Sequence, residues 1–428
     1  MTEQLQELST TDRMLIDARR AFTEAPPVGD RAYHRYPAEL ARVLARSWNE
    51  VLAANADDVA AARGRGLPET IVDRVRLTDR HLDQLVALTE AVAGALPEAT
   101  RPGPGRPMGG AAVLRQVPKP LGVVLMVYEA RPTVTVEGAL LPVVTGNAVL
   151  LRGGKEIAAT NAALSRVAAE ALTEAGLPSD LVTTLDDPSR AVLRALLKRP
   201  DAVDVLVPRG SPSLIDYCRT ASSIPVIASG GGVNHLYVHR SADLDLAAAV
   251  TLDSKVAEPT ACNTLELALV DEQVVEEYVR ALAERAPAGY TIRLDPAVPA
   301  LTGPCQAKIE TLAEHDFGRE FLEPAVGVRP VGGITEALEH IRRFGSAHTE
   351  GVIADDERVT TQFVSRVDAA AIVVNGSLRL HDGPTMGLGS EVSISTGRLH
   401  VRGPVTLGSL LTYTWVVEAN GRLRGGTT

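Results

Sequence analysis

The chain has 428 residues, too many for one ordinary core, and 45% are hydrophobic, enough for sizeable cores without metal or disulfides. A formal net charge of −10 and a pI near 5.5 disfavour nucleic acid, whose phosphates need a basic face, so the expected partner is a small molecule. Its three cysteines, Cys218, Cys262 and Cys305, form no C-x-x-C pair, which fits a reducing cytosol and argues against a structural zinc site.

Met1-Thr-Glu-Gln-Leu-Gln-Glu-Leu8 lacks the basic and apolar regions of a signal peptide. No apolar run approaches bilayer length, so a cytoplasmic enzyme without membrane contact is expected. Residues 13–22, 37–48 and 79–92 alternate charged and apolar faces as amphipathic helices do. Arg101-Pro-Gly-Pro-Gly-Arg-Pro107 then breaks regular structure, and a strand resumes at Ala111–Val117. This hairpin arm, about 102–118, is suited to covering a sheet edge or pairing with a neighbouring subunit.

From 121 to 238 strands and helices alternate. Strands are predicted at 123–128, 148–151, 203–207, 226–228 and 236–238, with a helix at 158–174. The alternation predicts a parallel sheet covered on both faces, with its ligand beyond the carboxyl ends of the strands. The G-x-G-x-x-G fingerprint is absent; Gly230-Gly-Gly232 and Gly387-Leu-Gly389 read as turns. Arg152-Gly153-Gly154-Lys155 follows a strand and precedes a helix, and it reads either as a cradle for a ribose or its 2′-phosphate or as a solvated turn.

A second α/β domain is predicted from about 238. It opens with a helix over 242–255 and a strand over 264–270, joined by Val256-Ala-Glu-Pro-Thr-Ala-Cys262-Asn263. Pro259 is expected to end the helix and leave an extended loop whose N–H groups face an oxyanion. Cys262 there is either a nucleophile or a small buried hydrophobe. Helices follow at 272–283 and 334–343, strands near 351–354 and 370–374, and a strand-like, turn-rich end that can pair with the arm. Cys218, on a helix, and Cys305, in a loop, read as structural or incidental.

Five stretches then carry a resemblance: Tyr128-Glu-Ala-Arg-Pro-Thr-Val-Thr135, Gly146-Asn-Ala-Val-Leu-Leu-Arg-Gly-Gly-Lys-Glu156, Val207-Pro-Arg-Gly210, Pro259-Thr-Ala-Cys-Asn263 and Leu399-His-Val-Arg-Gly-Pro404. In order and separation the chain resembles the gamma-glutamyl phosphate reductases of the aldehyde dehydrogenase superfamily. The resemblance implies an aldehyde dehydrogenase-like fold with two parallel-sheet α/β domains and a small β oligomerisation arm. Residues 1–237 would hold the helices and the nucleotide-binding domain, 238–385 the catalytic domain, and 386–428 a segment returning to the cofactor domain and the arm.

It implies NADPH-dependent reduction of an acyl phosphate, L-glutamate 5-phosphate in proline biosynthesis, through a Cys262 thioester. It implies no metal, a homo-oligomer, and a glutamate kinase as a partner. By position, Arg152, Gly153, Gly154 and Lys155 would line the adenosine ribose, and Pro208, Arg209 and Gly210 the pyrophosphate or nicotinamide half. The Cys262 N–H would be the first oxyanion donor and Asn263 a second. Hydrolytic relatives use a glutamate in a segment that here reads Ile227-Ala-Ser-Gly-Gly-Gly-Val-Asn-His235, which has no carboxylate.

Departures from the family pattern cluster near the substrate site. An expected Asn is Asp253, an expected Arg is Glu258, and Thr133 ends the E-A-R-P motif. If position 258 reads an anion, Glu258→Arg should improve activity. Arg131 and Arg379 read as anchors for an anionic substrate or as salt-bridge partners, and His348 as acid–base or structural. Two alternatives follow: the same chemistry on another amino-acid acyl phosphate, and an inactive relative serving as a binding or scaffold partner.

Overall fold

The computed structural model describes residues 9–108, 112–185, 187–301, 303 and 305–424; the opening octapeptide and Ala111 of the arm lie outside the described residues. The chain divides into two compact units. One runs through Ala228 and takes back Gly389–Ser393 and the chain from Val405; the other is Ser229–Leu388 with Ile394–Pro404.

The first unit opens with α1 (Thr10–Glu24), α2 (Arg31–Gly64), α3 (Glu69–Val75) and α4 (Asp79–Ala99). Ser9 and Asp30 cap α1 and α2 by accepting the Asp12 and Ala32 N–H groups. Helix α2 starts ahead of Pro37, which lies inside it; the cap at Asp30, rather than the proline, sets the start. After β1 (Arg106–Pro107) and β2 (Val113–Pro120) come β3 (Val123–Tyr128), α5 (Thr133–Val144), β4 (Ala148–Arg152), α6 (Ala158–Ala175), β5 (Val182–Thr184), α7 (Arg190–Leu196), β6 (Val205–Arg209) and α8 (Pro212–Ala221). Four of these strands form a sheet in the order β5-β4-β3-β6, parallel throughout. Every residue of β3 and β4 is buried, as expected of a sheet covered on both faces.

The second unit holds β7 (Asn234–Val238), α9 (Leu244–Asp253), β8 (Leu265–Asp271), α10 (Val275–Arg285), β9 (Thr291–Leu294), β10 (Lys308–Thr311), β11 (Ala325–Val331), α11 (Ile334–Phe344), β12 (Thr349–Ile353), α12 (Glu357–Arg366) and β13 (Ala371–Val374). Its seven-stranded sheet has the order β10-β9-β11-β8-β7-β12-β13 and is parallel at every pairing. One apolar cluster packs α9 and α10 against it around Leu236, Tyr278 and Leu282. A second packs α11 and α12 around Tyr237, Ile341 and Phe363. Alternate residues of β7 thus face opposite cores.

Three expectations are corrected. The strand at 236–238, predicted to finish the first sheet, is central to the second, paired with β8 and β12, so the units part at 228/229 rather than at 237/238. The stretch 226–228 makes only an isolated bridge, Val226 to Leu206. The carboxyl segment does not return to one unit alone, because 394–404 belongs to the second. It forms β14 (Glu391–Ser395), paired with β15 (Gly403–Thr406), and ends in β16 (Leu411–Glu418). Strand β16 pairs antiparallel with β2 from Leu411↔Pro120 to Glu418↔Val113.

Candidate active site

The loop between α9 and β8 is built from its stem upward. Helix α9 ends at Asp253 rather than at Pro259; Ser254 caps it by donating to Val250 O at 2.9 Å. The chain then turns inward, so the Lys255 side chain is fully buried and its Nζ lies 2.7 Å from Glu266 Oε1 on β8. Glu266 Oε2 accepts the Phe321 N–H at 2.9 Å. Two buried charges are tolerable only when paired in this way. Burial pulls the Lys255 ammonium down from its ordinary value and pushes the Glu266 carboxyl up to about 7.

Above the stem the backbone closes a turn. Ala261 N donates to Glu258 O at 3.1 Å, and Thr264 donates to Ala261 O through its N–H at 3.3 Å and its hydroxyl at 2.9 Å. Cys262 is exposed at the tip. Asn234, fully buried at the start of β7, fixes this tip: its Nδ2 donates to Cys262 O at 2.8 Å and Thr264 O at 2.7 Å, while Oδ1 accepts Thr349 N–H at 3.0 Å. Gly232 packs so closely that a Cβ there would collide with the Cys262 carbonyl. The Gly232 N–H donates to Glu320 Oε1 at 2.8 Å, so a carboxylate reaches this segment from elsewhere in the chain. Burial pushes the Cys218 thiol up to about 11, and Cys305 is half-buried. Cys262 is the accessible thiol of the three.

Asn263 is 4% exposed; its side chain donates to His381 O at 3.0 Å and Arg379 O at 3.5 Å, and accepts from the Arg379 guanidinium. With its side-chain amide engaged in this way it positions the 379–381 turn. Arg379 sits in a single helical turn (Leu378–Leu380), and its Nη2 lies 2.6 Å from Glu258 Oε2. Residues 258 and 379, read separately as substrate contacts, are therefore partners. His348 is buried, its Nδ1 2.7 Å from Thr349 Oγ1, which also meets His381 Nδ1 at 2.8 Å. Burial holds His348 down near about 3 and His381 near about 4. Both are held neutral at pH 7 by that burial.

In the first unit the carboxyl ends of β3, β4 and β6 bring together Glu129, the Arg152–Lys155 turn and Gly210. Arg152 is 8% exposed, its guanidinium donates to the Pro188 carbonyl, and burial lowers its pKa. Lys155 is the exposed cation of this turn. Gly153 is demanded by packing, since a Cβ would collide with Asn161, which accepts a 2.6 Å bond from Thr135. Gly154 lies over Glu129 and Ala130. Pro208 is buried in β6; Arg209, half-buried, pairs with Glu137 at 3.7 Å. A Cβ on Gly210 would meet the Glu129 carboxylate, which accepts Ser211 N–H at 2.7 Å. Arg131 is exposed just after β3. An exposed ammonium beside carboxylates able to accept from hydroxyls suits the phosphate and ribose of a nucleotide.

Asn234, Gly232 and Glu320 were missed. Asn234 alone had a usable signal, because Asn is depleted in strands and a buried one needs partners for its amide.

The family described as "Aldehyde dehydrogenase family" matches residues 5–301. A gamma-glutamyl phosphate reductase of Roseiflexus castenholzii is 43% identical over 385 residues, 88% of this chain and 89% of that one. A protein of the same name from Escherichia coli O81 is 37% identical over 406 residues, 95% of this chain and 97% of its own. The crystal structure of gamma-glutamyl phosphate reductase from Thermotoga maritima superposes with a TM-score of 0.88 at 30% identity, covering 97% of this chain and 99% of that one. An exposed cysteine on a turn pinned from a parallel sheet, at the position these motifs share, agrees with that likeness: the chain belongs to the gamma-glutamyl phosphate reductases of the aldehyde dehydrogenase family.

Proposed function

We propose that the chain reduces L-glutamate 5-phosphate to glutamate 5-semialdehyde and phosphate, the reductive step toward proline, with Cys262 as nucleophile. The observation that carries this is the exposed Cys262, whose carbonyl is fixed by the buried Asn234 amide. The thiolate attacks the acyl carbon, a C–S bond forms, the C–O bond to phosphate breaks, and the thioester stays on a loop that cannot drift. The Cys262 N–H stabilises the tetrahedral oxyanion. A nicotinamide nucleotide, when bound, supplies the hydride. Cys262 leaves as thiolate when the aldehyde is released. The facing segment 227–235 has no carboxylate of its own to activate water, which favours reduction over hydrolysis.

For the cofactor we assign NADPH, with Gly154, Lys155 and Gly210 along it and the Lys155 ammonium on the 2′-phosphate. Arg131 and Arg379 meet the substrate's anionic groups. The open face of β16, with Tyr413 54% and Trp415 48% exposed, is the surface a second copy would cover.

The reaction is best tested in reverse, because the acyl phosphate is labile. Purified protein is given glutamate semialdehyde, in equilibrium with pyrroline-5-carboxylate, and each oxidised nicotinamide, with and without phosphate. Phosphate-dependent cofactor reduction that Cys262→Ala abolishes is the expected result. Turnover without phosphate, or in the mutant, would overturn the thioester mechanism. The same assay with Lys155→Ala should erase any preference for the phosphorylated cofactor.

A further inference from the structure

We infer that Glu258 and Arg379 act together as the receptor for the α-amino-acid head of the substrate, Glu258 taking the ammonium and Arg379 the carboxylate. The inference rests on the acyl-phosphate reading above. An amino-acid head carries one charge of each sign, so a lone cationic anchor would leave the ammonium unpaired. The structure places a half-buried cation and an exposed carboxylate side by side, Arg379 Nη2 and Glu258 Oε2 at 2.6 Å, with side chains 26% and 62% exposed.

Glu258 is tied to the nucleophile through the backbone, and Arg379 through a side chain next to it. Glu258 stands four positions before Cys262, and its carbonyl accepts the Ala261 N–H of the same turn at 3.1 Å. Arg379 donates to the side chain of Asn263, the residue after Cys262, and Asn263 in turn holds His381 O at 3.0 Å. Two methylenes separate the head of a glutamyl substrate from its acyl carbon, so the groups that serve its two ends must lie close together. The Cys262 loop carries the nucleophile and Glu258, and Asn263 on the same loop holds Arg379 of the Leu378–Leu380 turn.

The arrangement also explains how a charged site stays stable when empty. The two side chains satisfy one another in the free protein, and an exposed ion pair of this kind is weakly held and easily exchanged. Binding swaps each partner for the opposite charge of the substrate head, so no charge is left bare. The guanidinium keeps its bond to Asn263 during the swap, since its fork has donors to spare. Glu258→Arg, which the sequence alone suggested would help, would instead place two cations beside an ammonium.

The test compares glutamate semialdehyde with 5-oxopentanoate, its analogue lacking the amino group, in the phosphate-dependent reverse reaction. For Glu258→Gln the expected result is a KM raised about tenfold for the amino-acid aldehyde, with kcat little changed. Its KM for 5-oxopentanoate should be unchanged or lower, and Glu258→Asp should restore part of the loss. An equal KM change for both aldehydes, or none for either, overturns the proposal. Turnover of 5-oxopentanoate but not of the amino-acid aldehyde by the unaltered protein also overturns it and leaves the thioester chemistry standing. No turnover of either removes the underlying reading and this one with it.

Discussion

Asn234→Ala separates the role of the loop's anchor from that of its nucleophile. The side chain makes three bonds: to the carbonyls of Cys262 and Thr264 and from the N–H of Thr349. Thr264 and Thr349 are fully buried, so their groups would be left without water or protein partners. Each such orphan costs about 1–3 kcal/mol, which puts the loss of stability at roughly 2–6 kcal/mol. The Cys262 carbonyl, part-buried against Gly232, is left out of this figure. The kinetic effect is separate: a nucleophile displaced by about an ångström loses on the order of 100-fold in rate. Urea unfolding followed by circular dichroism, together with kcat in the phosphate-dependent reverse reaction, measures both. A variant within about 0.5 kcal/mol of the parent, with kcat unchanged, would refute the view that this amide holds the catalytic turn.

Gly232→Ala should cost kcat on the order of 100-fold, because its Cβ has to move the Cys262 backbone; unchanged binding of nicotinamide nucleotide, by titration calorimetry, distinguishes this from unfolding. Lys255→Met leaves the Glu266 carboxylate buried and unpaired, so about 3–5 kcal/mol should be lost in urea melts, most of it regained in Lys255→Met/Glu266→Leu. His340, His348 and His381 are held by burial near about 3, 3 and 4, below an ordinary value of 6.5. The unfolded chain therefore binds more protons than the folded one between those limits. Stability is full above pH 6.5 and falls as pH drops toward 4, by about 2 kcal/mol per histidine at pH 5. Urea midpoints at pH 7.5 and pH 5 check the sign, and a midpoint unmoved between them would show that these rings are not held neutral.

The alternation of strands and helices was legible because fully buried strands such as β3 and short turns leave unmistakable apolar runs. Helix α5 left no amphipathic trace, since ten of its twelve residues are buried and there is no polar face to set a period. The placement of β7 was not legible, because an apolar strand such as Leu236–Val238 suits either sheet and only pairing with β8 and β12 decides. At the site, the cysteine's loop was visible from Pro259 and the following strand. Its anchors were not: Asn234 and Gly232 lie about thirty positions away in sequence and reach Cys262 through tertiary packing alone. Nor can residue type or position in a motif show that the Arg152 guanidinium is sunk against Pro188 or that the Asn263 amide is engaged at His381.

The site divides its labour by the kind of group it uses. The turn bearing Cys262 is held by neutral amides, Asn234 from β7 and Asn263 toward the 379–381 turn, whose geometry does not change with pH or salt. The histidines nearby, His348 and His381, are kept neutral by burial, so they too hold position without contributing charge. Charge takes two paired forms: the Lys255–Glu266 pair in the stem, sealed from solvent, and the Glu258–Arg379 pair beside the nucleophile, while the Glu320 carboxylate is spent on the Gly232 N–H. A reaction that forms and breaks a thioester needs the sulfur in one place through both steps, and polar groups that neither titrate nor screen supply that. Recognition of a small zwitterion needs the opposite property, charges weakly enough held to change partners, and the Glu258–Arg379 pair between the loop and the 378–380 turn offers those.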